Sequence, residues 1–209
     1  MNADAHDSTA RTDSPAQSRG LRTVLATIPP GWFAWAPDDI EGARQRALEF
    51  ATDEERAALM AAVATFQKIV EDEVPGTTIA ALWIPDLSGP LLATAAVRIL
   101  ASEGPERWDL ETTLAFVRSQ TSVGRGMKLL DVATTPTCTP LGDAVLQVLD
   151  MSKRFRRRVT REWAWFILPR GTNDIVAFQV QSDHLGAFEQ LGDIAAEIAH
   201  SLTVEFEPS

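Results

Sequence analysis

Side chains suited to nucleophilic or acid–base chemistry are sparse in this sequence, which has one cysteine and three histidines among 209 residues. Cys138 stands in the segment Thr134–Pro140 and has no cationic residue within two positions. A reactive thiol usually has a basic neighbour or a helix N-terminus that lowers its pKa. We therefore interpret Cys138 as a partly buried structural residue. A nucleophilic role would require the fold to bring a group such as His184 close to it.

The histidines predict no metal site. His6 lies near the N-terminus, while His184 and His200 are sixteen residues apart on one predicted helix, which separates them by about 24 Å. Residues that far apart do not share a metal ion. The sequence also lacks a P-loop, a dinucleotide-binding glycine motif and a Gly-x-Ser-x-Gly elbow. It thus predicts no catalytic residue, no metal and no cofactor, and it favours a protein that is not an enzyme.

One segment, Lys153–Arg161, concentrates positive charge. It holds six of the 19 lysines and arginines, whereas the chain as a whole carries a net charge of −10. If the segment is extended, Arg154, Arg156 and Arg158 project from one side, where their planar guanidinium groups match carboxylates or phosphates. Together with Arg161, these three arginines are candidate binding residues.

Two interpretations of this cluster are open. In the first, it is a solvated strand edge whose charges prevent edge-to-edge pairing of sheets. In the second, it binds an acidic surface, either on another protein or on a second copy of the chain, where Glu71–Glu73 is acidic. Nucleic acid is disfavoured because the chain is acidic overall. The expected partner is therefore an acidic protein or another copy of the chain.

Two tryptophans form a second candidate binding feature. Trp32 and Trp35 lie among prolines in a segment with a loop-like composition. Exposed tryptophans are favoured at the centres of protein interfaces, so the pair could form an aromatic contact surface. They could equally close the end of a sheet core. Both interpretations are kept here.

The C-terminal region predicts a hairpin followed by a helix. Val159–Pro169 and Asp174–Gln181 both alternate with the period of two that is typical of strands, and the short connection between them contains glycine and asparagine. His184–Leu202 has apolar residues at three- and four-residue spacing, which predicts an amphipathic helix on a sheet. Its apolar stripe consists of Leu185, Phe188, Leu191, Ile194, Ala195, Ile198, Ala199 and Leu202.

The rest of the chain predicts an α+β fold, a mainly antiparallel sheet with helices packed on one or both faces. Thr52 and Glu55 stand at capping-box spacing before one of the helices, and Thr135–Pro140 has the composition of a loop. The other predicted elements are a strand at Leu21–Ile28, helices from Asp38 or Asp39 to Phe50 and over Asp53–Glu73, strands at Thr78–Ile84 and Leu91–Ala101, a helix at Leu110–Gln120, and strands at Met127–Thr134 and Leu141–Asp150.

Composition indicates one domain and no membrane segment. Residues 1–20 lack the apolar run of a signal peptide and have the composition of a disordered leader. Residues 21–204 form the expected domain and 205–209 a short tail. No stretch approaches the roughly 20 apolar residues that span a bilayer, and a single cysteine forms no internal disulfide. The sequence therefore predicts a cytoplasmic protein.

The order of these elements resembles the PsbP-like fold. The likeness rests on an opening strand that leads into Ile28–Trp32, a run of hairpins, and a last strand before a helix that ends in Ile198–Leu202. It covers most of Leu21–Val204. The family includes photosystem II extrinsic subunits, a Ran-binding nuclear import factor and small actinobacterial proteins. The resemblance implies a binding or assembly role, with no catalytic residues shared across the family.

The sequence thus favours a non-enzymatic module that binds or assembles proteins through the cationic segment or the aromatic loop. The alternative is a small-ligand-binding domain, or a small enzyme, with a pocket between the sheet and its helices. A thermal-shift screen against metabolites separates the two hypotheses, because a specific small ligand raises the melting temperature.

Overall fold

The computed structural model describes residues 19–102, 108–120, 123, 126–153 and 158–208. The described part forms nine strands and four α-helices. The strands are β1 (Leu21–Leu25), β2 (Trp32–Trp35), β3 (Thr77–Trp83), β4 (Ala93–Leu100), β5 (Met127–Thr139), β6 (Gly142–Lys153), β7 (Val159–Pro169), β8 (Ile175–Ser182) and β9 (Thr203–Phe206). The helices are α1 (Ile40–Phe50), α2 (Asp53–Glu73), α3 (Leu110–Ser119) and α4 (Phe188–Ser201), with a 3-10 turn at Leu185–Ala187 before α4.

Seven strands form one sheet in the order β2-β3-β4-β8-β7-β6-β5, and every neighbouring pair is antiparallel. β1 and β9 form a separate antiparallel pair. Four of the sheet's pairs are hairpins of consecutive strands, β3-β4, β5-β6, β6-β7 and β7-β8. β8 returns to lie beside β4. The α+β class and the antiparallel sheet predicted from the sequence are confirmed.

One face of the seven-stranded sheet packs on α4. Alternation along the strands places every second side chain on this face. Phe178 of β8 is 1% exposed there and stacks on Trp165, with ring centroids 5.5 Å apart. Phe188 of α4 meets the edge of Trp163 at 5.7 Å. The apolar stripe of α4 thus fills the space over the centre of the sheet, as the sequence predicts.

The opposite face is covered at its two ends. α1 and α2 pack over β2 and β3, where Ala43, Ala47 and Val63 are fully buried. α3 packs over β5 and β6, and the buried Gln147 donates to the carbonyl of Val117 at 2.9 Å. The central strands β4, β8 and β7 lie between these two groups of helices.

Local signals account for the elements that were predicted accurately. Thr52 and Glu55 form the capping box before α2, whose bounds match the prediction. Asp39 accepts from the backbone N–H of Gly42 at 2.8 Å and caps α1. Asp109 caps α3 in the same way, and β7 has the predicted bounds. Side-chain acceptors at these positions satisfy backbone donors that have no partner inside the helix.

Two expectations were wrong at the level of secondary structure. Trp32–Trp35 is a strand, because its backbone pairs with β3. Thr135–Pro140 is not a loop, since β5 continues to Thr139; Pro136 is tolerated because β5 is the outer strand of the sheet. β9 covers Thr203–Phe206 and pairs with β1, so two of its four residues fall in the segment 205–209 that was expected to be a short tail.

The turn between β5 and β6 explains how β5 extends so far. Thr139 pairs directly with Gly142, so Pro140 and Leu141 alone form the connection. A Cβ atom at Gly142 would collide with the carbonyl oxygen of Leu168 on β7. Glycine therefore allows β7 to approach the turn closely.

The helix predicted at His184–Leu202 starts later than expected. Ser182 accepts from the backbone N–H of His184 at 3.0 Å, as a capping residue would, but the chain then makes the 3-10 turn before α4 begins at Phe188. Leu185, which the pattern placed in the apolar stripe, is 63% exposed.

Across the described residues, no helix is both long enough and apolar enough to cross a membrane.

A pair of leucines tests the packing of α4. Leu191 is fully buried, whereas Leu185 is 63% exposed. Leu191→Ala is expected to lower the free energy of unfolding by about 2–5 kcal/mol because it leaves a cavity. The matched control, Leu185→Ala, is expected to change it by about 0.5 kcal/mol or less. Urea denaturation followed by tryptophan fluorescence measures both, and equal losses would contradict the observed packing.

Candidate binding site

Cys138 and His184 lie at different ends of the sheet. Cys138 pairs with Asp143 of β6. Ser182, two residues before His184, pairs with Arg161 of β7, which in turn pairs with Asp150 of β6. Asp143 and Asp150 are seven residues apart on β6, or about 23 Å. Cys138 is also exposed rather than partly buried, because the outer edge of β5 faces solvent. The register therefore excludes a Cys138–His184 pair.

The described residues contain no cluster of three or more histidine, cysteine or acidic side chains arranged to hold a metal ion. His184 lies 3.6 Å from Asp183 through its Nε2 atom. His200 is exposed on α4, and its Nδ1 atom is 2.7 Å from the carbonyl oxygen of Ala196. Each histidine therefore has a local contact on its own segment.

Arg161 is partly buried and pairs with a carboxylate on the neighbouring strand. Its Nε and Nη2 atoms each donate to a different carboxylate oxygen of Asp150 at 2.6 Å, which forms a two-pronged ion pair across β6 and β7. Its guanidinium carbon lies 4.9 Å from the ring centroid of Phe188 and 5.9 Å from that of Trp163. The hydrogen bonds that Arg161 donates to Asp150 raise the pKa of Arg161 above its ordinary range. Arg161 thus ties the start of α4 to the sheet.

Of the two candidate arginines that the structure describes, Arg158 is the exposed one. It forms an ion pair with Asp183 at 2.8 Å, and 66% of its side chain remains accessible. Surface ion pairs of this kind contribute little to stability and exchange readily with other partners. Arg154 and Arg156, the other two candidates, lie outside the described residues.

Trp32 and Trp35 belong to the core. They are 4% and 2% exposed, so they form no exposed aromatic contact surface. The strand geometry of β2 places them on opposite faces, because they are three residues apart. Trp32 stacks on Trp83, with centroids 6.1 Å apart, and the indole N–H of Trp35 donates to Gln67 at 2.8 Å. Trp32 and Trp35 therefore belong to the sheet core, which was one of the two interpretations of the sequence.

An open groove of about 840 Å³ lies between α1 and α2. Polar and charged side chains along it are already engaged: Arg44 pairs with Glu41 at 2.8 Å, and Gln67 donates to Glu71 at 2.8 Å and to the carbonyl of Pro37. The exposed Leu48 contributes apolar surface. The groove also contains the apolar side chains of Ile40 and Met60, and it lies on the outside of the helix pair.

The sequence interpretation missed two charged residues on the central strands. Arg98 of β4 and Glu162 of β7 lie on the face that carries α1, α2 and α3, and both are partly buried. Burial lowers the pKa of Arg98, and the charge of Glu162 partly offsets this effect. Burial also raises the pKa of Glu162, with Arg98 acting in the opposite direction. A charge inside an alternating apolar strand was the signal that could have identified them.

Neither charge has a direct partner in the described part of the protein. The side chains of Arg98 and Glu162 take part in no hydrogen bond and no ion pair, even with each other. The Nε atom of Arg98 is buried and without an acceptor. Buried polar groups nearly always have hydrogen-bond partners. This pair is therefore a candidate site for a group that supplies them.

Two solved structures resemble this fold over most of its length. LpqN, involved in cell envelope biogenesis of Mycobacterium tuberculosis, is 13% identical, with a TM-score of 0.46 over 92% of this chain and 87% of LpqN. The cyanobacterial PsbP (CyanoP) from Synechocystis sp. PCC 6803 is also 13% identical, with a TM-score of 0.39 over 89% of this chain and 95% of CyanoP. The likeness is one of fold.

These matches include the PsbP-like fold that the sequence resembled. At 13% identity they give no function for this chain. No family model matches the chain, and no curated protein matches it in sequence. The site must therefore be interpreted from its own residues.

The raised pKa of Glu162 has a consequence for stability. In the unfolded chain the carboxyl ionises near its ordinary value of 4.5, whereas in the folded protein it ionises at a higher pH. The stability that protonated Glu162 contributes is therefore complete below 4.5 and is lost as pH rises through the folded pKa. Glu162→Gln should thus gain stability relative to wild type as pH rises above 4.5.

Urea denaturation of both proteins across the acidic and neutral range measures this difference. The exposed Glu189→Gln is the matched control for removing a surface carboxylate. A stability difference between Glu162→Gln and wild type that stays constant with pH would show that the carboxyl ionises alike in the folded and unfolded chains.

Proposed function

We propose that the protein is a non-catalytic binding module that contacts an acidic protein partner through its basic edge. The basic edge is defined as Arg154, Arg156 and Arg158 together with the exposed apolar side chains Leu130 and Val132 of β5. The proposal rests on one observation above the others, the concentration of cations in Lys153–Arg161 within a chain of net charge −10.

The position of the cationic segment supports this proposal. The segment connects β6 to β7, and the register pairs Met127, the first residue of β5, with Lys153. The cations therefore begin at the same end of the sheet as the start of the outer strand. Among the described residues, no strand pairs with the other side of β5. The open side of β5 in the described part of the protein therefore begins near Lys153, from which the cationic segment continues along the chain.

Exposed apolar surface next to the charges adds to the support. Leu130 is 48% exposed and Val132 is 38% exposed, both on β5. Phe116 of α3, which packs over the same strand, is 38% exposed. Protein interfaces combine apolar anchors with a polar rim, and charge complementarity accelerates their association. The basic edge has both components.

The outer strand is also protected against indiscriminate pairing. Its register shifts between Leu129 and Asp131, and Pro136 lacks a backbone donor. These features disfavour addition of a further strand along β5. We therefore propose recognition through side chains, in which the guanidinium groups contact carboxylates of the partner.

Charge reversal tests the proposal. We expect Arg154→Glu/Arg156→Glu/Arg158→Glu to lose partners that wild type captures from an extract of the source cells, because three attractive charges become repulsive. Arg44→Glu/Arg46→Glu/Arg170→Glu is the matched control, since it makes the same change in net charge at exposed positions elsewhere. Quantitative mass spectrometry of the captured proteins, at low and high salt, provides the measurement.

The outcomes separate the proposed partner from its alternatives. The proposal is supported if acidic proteins bind to wild type and to the control variant but not to the edge variant, and if high salt removes them. Identical partners for all three proteins would contradict it. Loss of a homodimer in size-exclusion chromatography would identify a second copy as the partner instead, and retention on a nucleic-acid column would identify a nucleic acid.

A further inference from the structure

The central strands carry a polar strip on the face opposite α4. β4, β8 and β7 lie side by side in the middle of the sheet, between the strands covered by α1 and α2 and those covered by α3. A sheet face between packed helices is usually apolar. Here the side chains that alternate onto this face include two charged residues, two glutamines and a threonine: Arg98, Glu162, Gln179, Gln181 and Thr94.

The register places these residues in three rows. The first row contains Arg98, opposite Ala177. The last contains Glu162 and Thr94, each paired with Gln181 of β8. The two charged residues are thus two strands apart, about 10 Å, and four residues apart along the strands, about 14 Å, at their backbones.

Small residues separate the two charges. The middle row consists of Ala96, Gln179 and Ala164, so a methyl group stands on each side of the glutamine. Longer apolar side chains in these positions would fill the space between Arg98 and Glu162. The alanines leave Arg98, Gln179 and Glu162 as the long polar side chains of these three rows. Phe166 of β7 shares the row of Arg98 and Ala177 and adds an aromatic side chain at that end.

The pair does not have the geometry of a structural salt bridge. Arg98 and Glu162 form no ion pair within 4.0 Å in the described part of the protein, yet each lies close enough to shift the pKa of the other. Arg161 and Asp150, on the other face, illustrate the contrast with two hydrogen bonds of 2.6 Å. Desolvated charges without direct contact cost free energy that their attraction does not recover.

We propose that Arg98 and Glu162 form a binding site for a zwitterionic ligand, whose carboxylate contacts the guanidinium and whose ammonium group contacts the carboxylate. An α-amino acid carries both groups on one carbon and can bridge two charges that are too far apart for a direct ion pair. Gln179 and Gln181 offer amide donors and acceptors beside it. Free amino acids and short peptides have this chemistry, and the site is separate from the basic edge.

The test uses defined probes on the full chain. Isothermal titration calorimetry and thermal shift with the free amino acids and a set of dipeptides, at millimolar concentrations, should find at least one that binds wild type. Its N-acetylated form lacks the ammonium group, and its amide lacks the carboxylate. Each modification is expected to weaken binding about tenfold or more, because each removes one charge-assisted contact.

Variants locate the site. Arg98→Gln and Glu162→Gln are each expected to weaken binding of the same probe by about tenfold or more, whereas Arg118→Gln, an exposed control, leaves it unchanged. Binding of the acidic protein partner at the basic edge should persist in both site variants, so that the two proposals fail or succeed separately. Should a variant not fold, the modified probes on wild type still decide the ligand chemistry.

Two results would overturn the proposal. The first is the absence of binding to wild type by every amino acid and dipeptide. The second is binding that neither chemical modification of the probe nor the substitutions at Arg98 and Glu162 weaken.

Discussion

The packing of α4 against the central sheet is the interaction on which the rest of the structure depends. It fixes which side chains of each strand face the aromatic core, since Trp165, Ile167 and Phe178 must all meet the apolar stripe of the helix. Because strands alternate, the remaining side chains must face the other way. Arg98 and Glu162 therefore lie opposite α4 as a direct result of this packing. They are on the face where α1 and α2 pack at one edge of the sheet and α3 at the other.

Charged residues in this fold serve different purposes, and desolvation distinguishes them. Arg161 is partly buried and is compensated by two short hydrogen bonds to Asp150, so its charge contributes to the architecture. Arg158 is mostly solvated and pairs only with a surface carboxylate, which leaves it free to meet a partner. Arg98 and Glu162 are desolvated without compensation by direct contact. Such a pair is costly for stability, and a ligand that completes its contacts would offset this cost.

Much of the fold could be predicted because its signals are local. Thr52 and Glu55 define the start of α2, and the alternation of Val159–Pro169 defines β7 with correct bounds. β2 was missed because four residues between prolines give too short a pattern, and its strand character comes from pairing with β3. β9 was missed for the same reason. Arg98 and Glu162 could each be noticed as a charge inside an apolar strand, but their proximity could not be predicted, since it arises because β8 returns to lie between β4 and β7.

The most direct measurement asks whether the charges of Arg98 and Glu162 serve stability or binding. The double variant Arg98→Met/Glu162→Leu replaces both charges with apolar side chains of similar size, and urea denaturation gives its free energy of unfolding. If the pair is kept for binding, the variant should be at least as stable as wild type to within about 1 kcal/mol, because two desolvation penalties disappear together. A loss of about 3 kcal/mol or more would show that the pair holds the sheet together and would contradict this account.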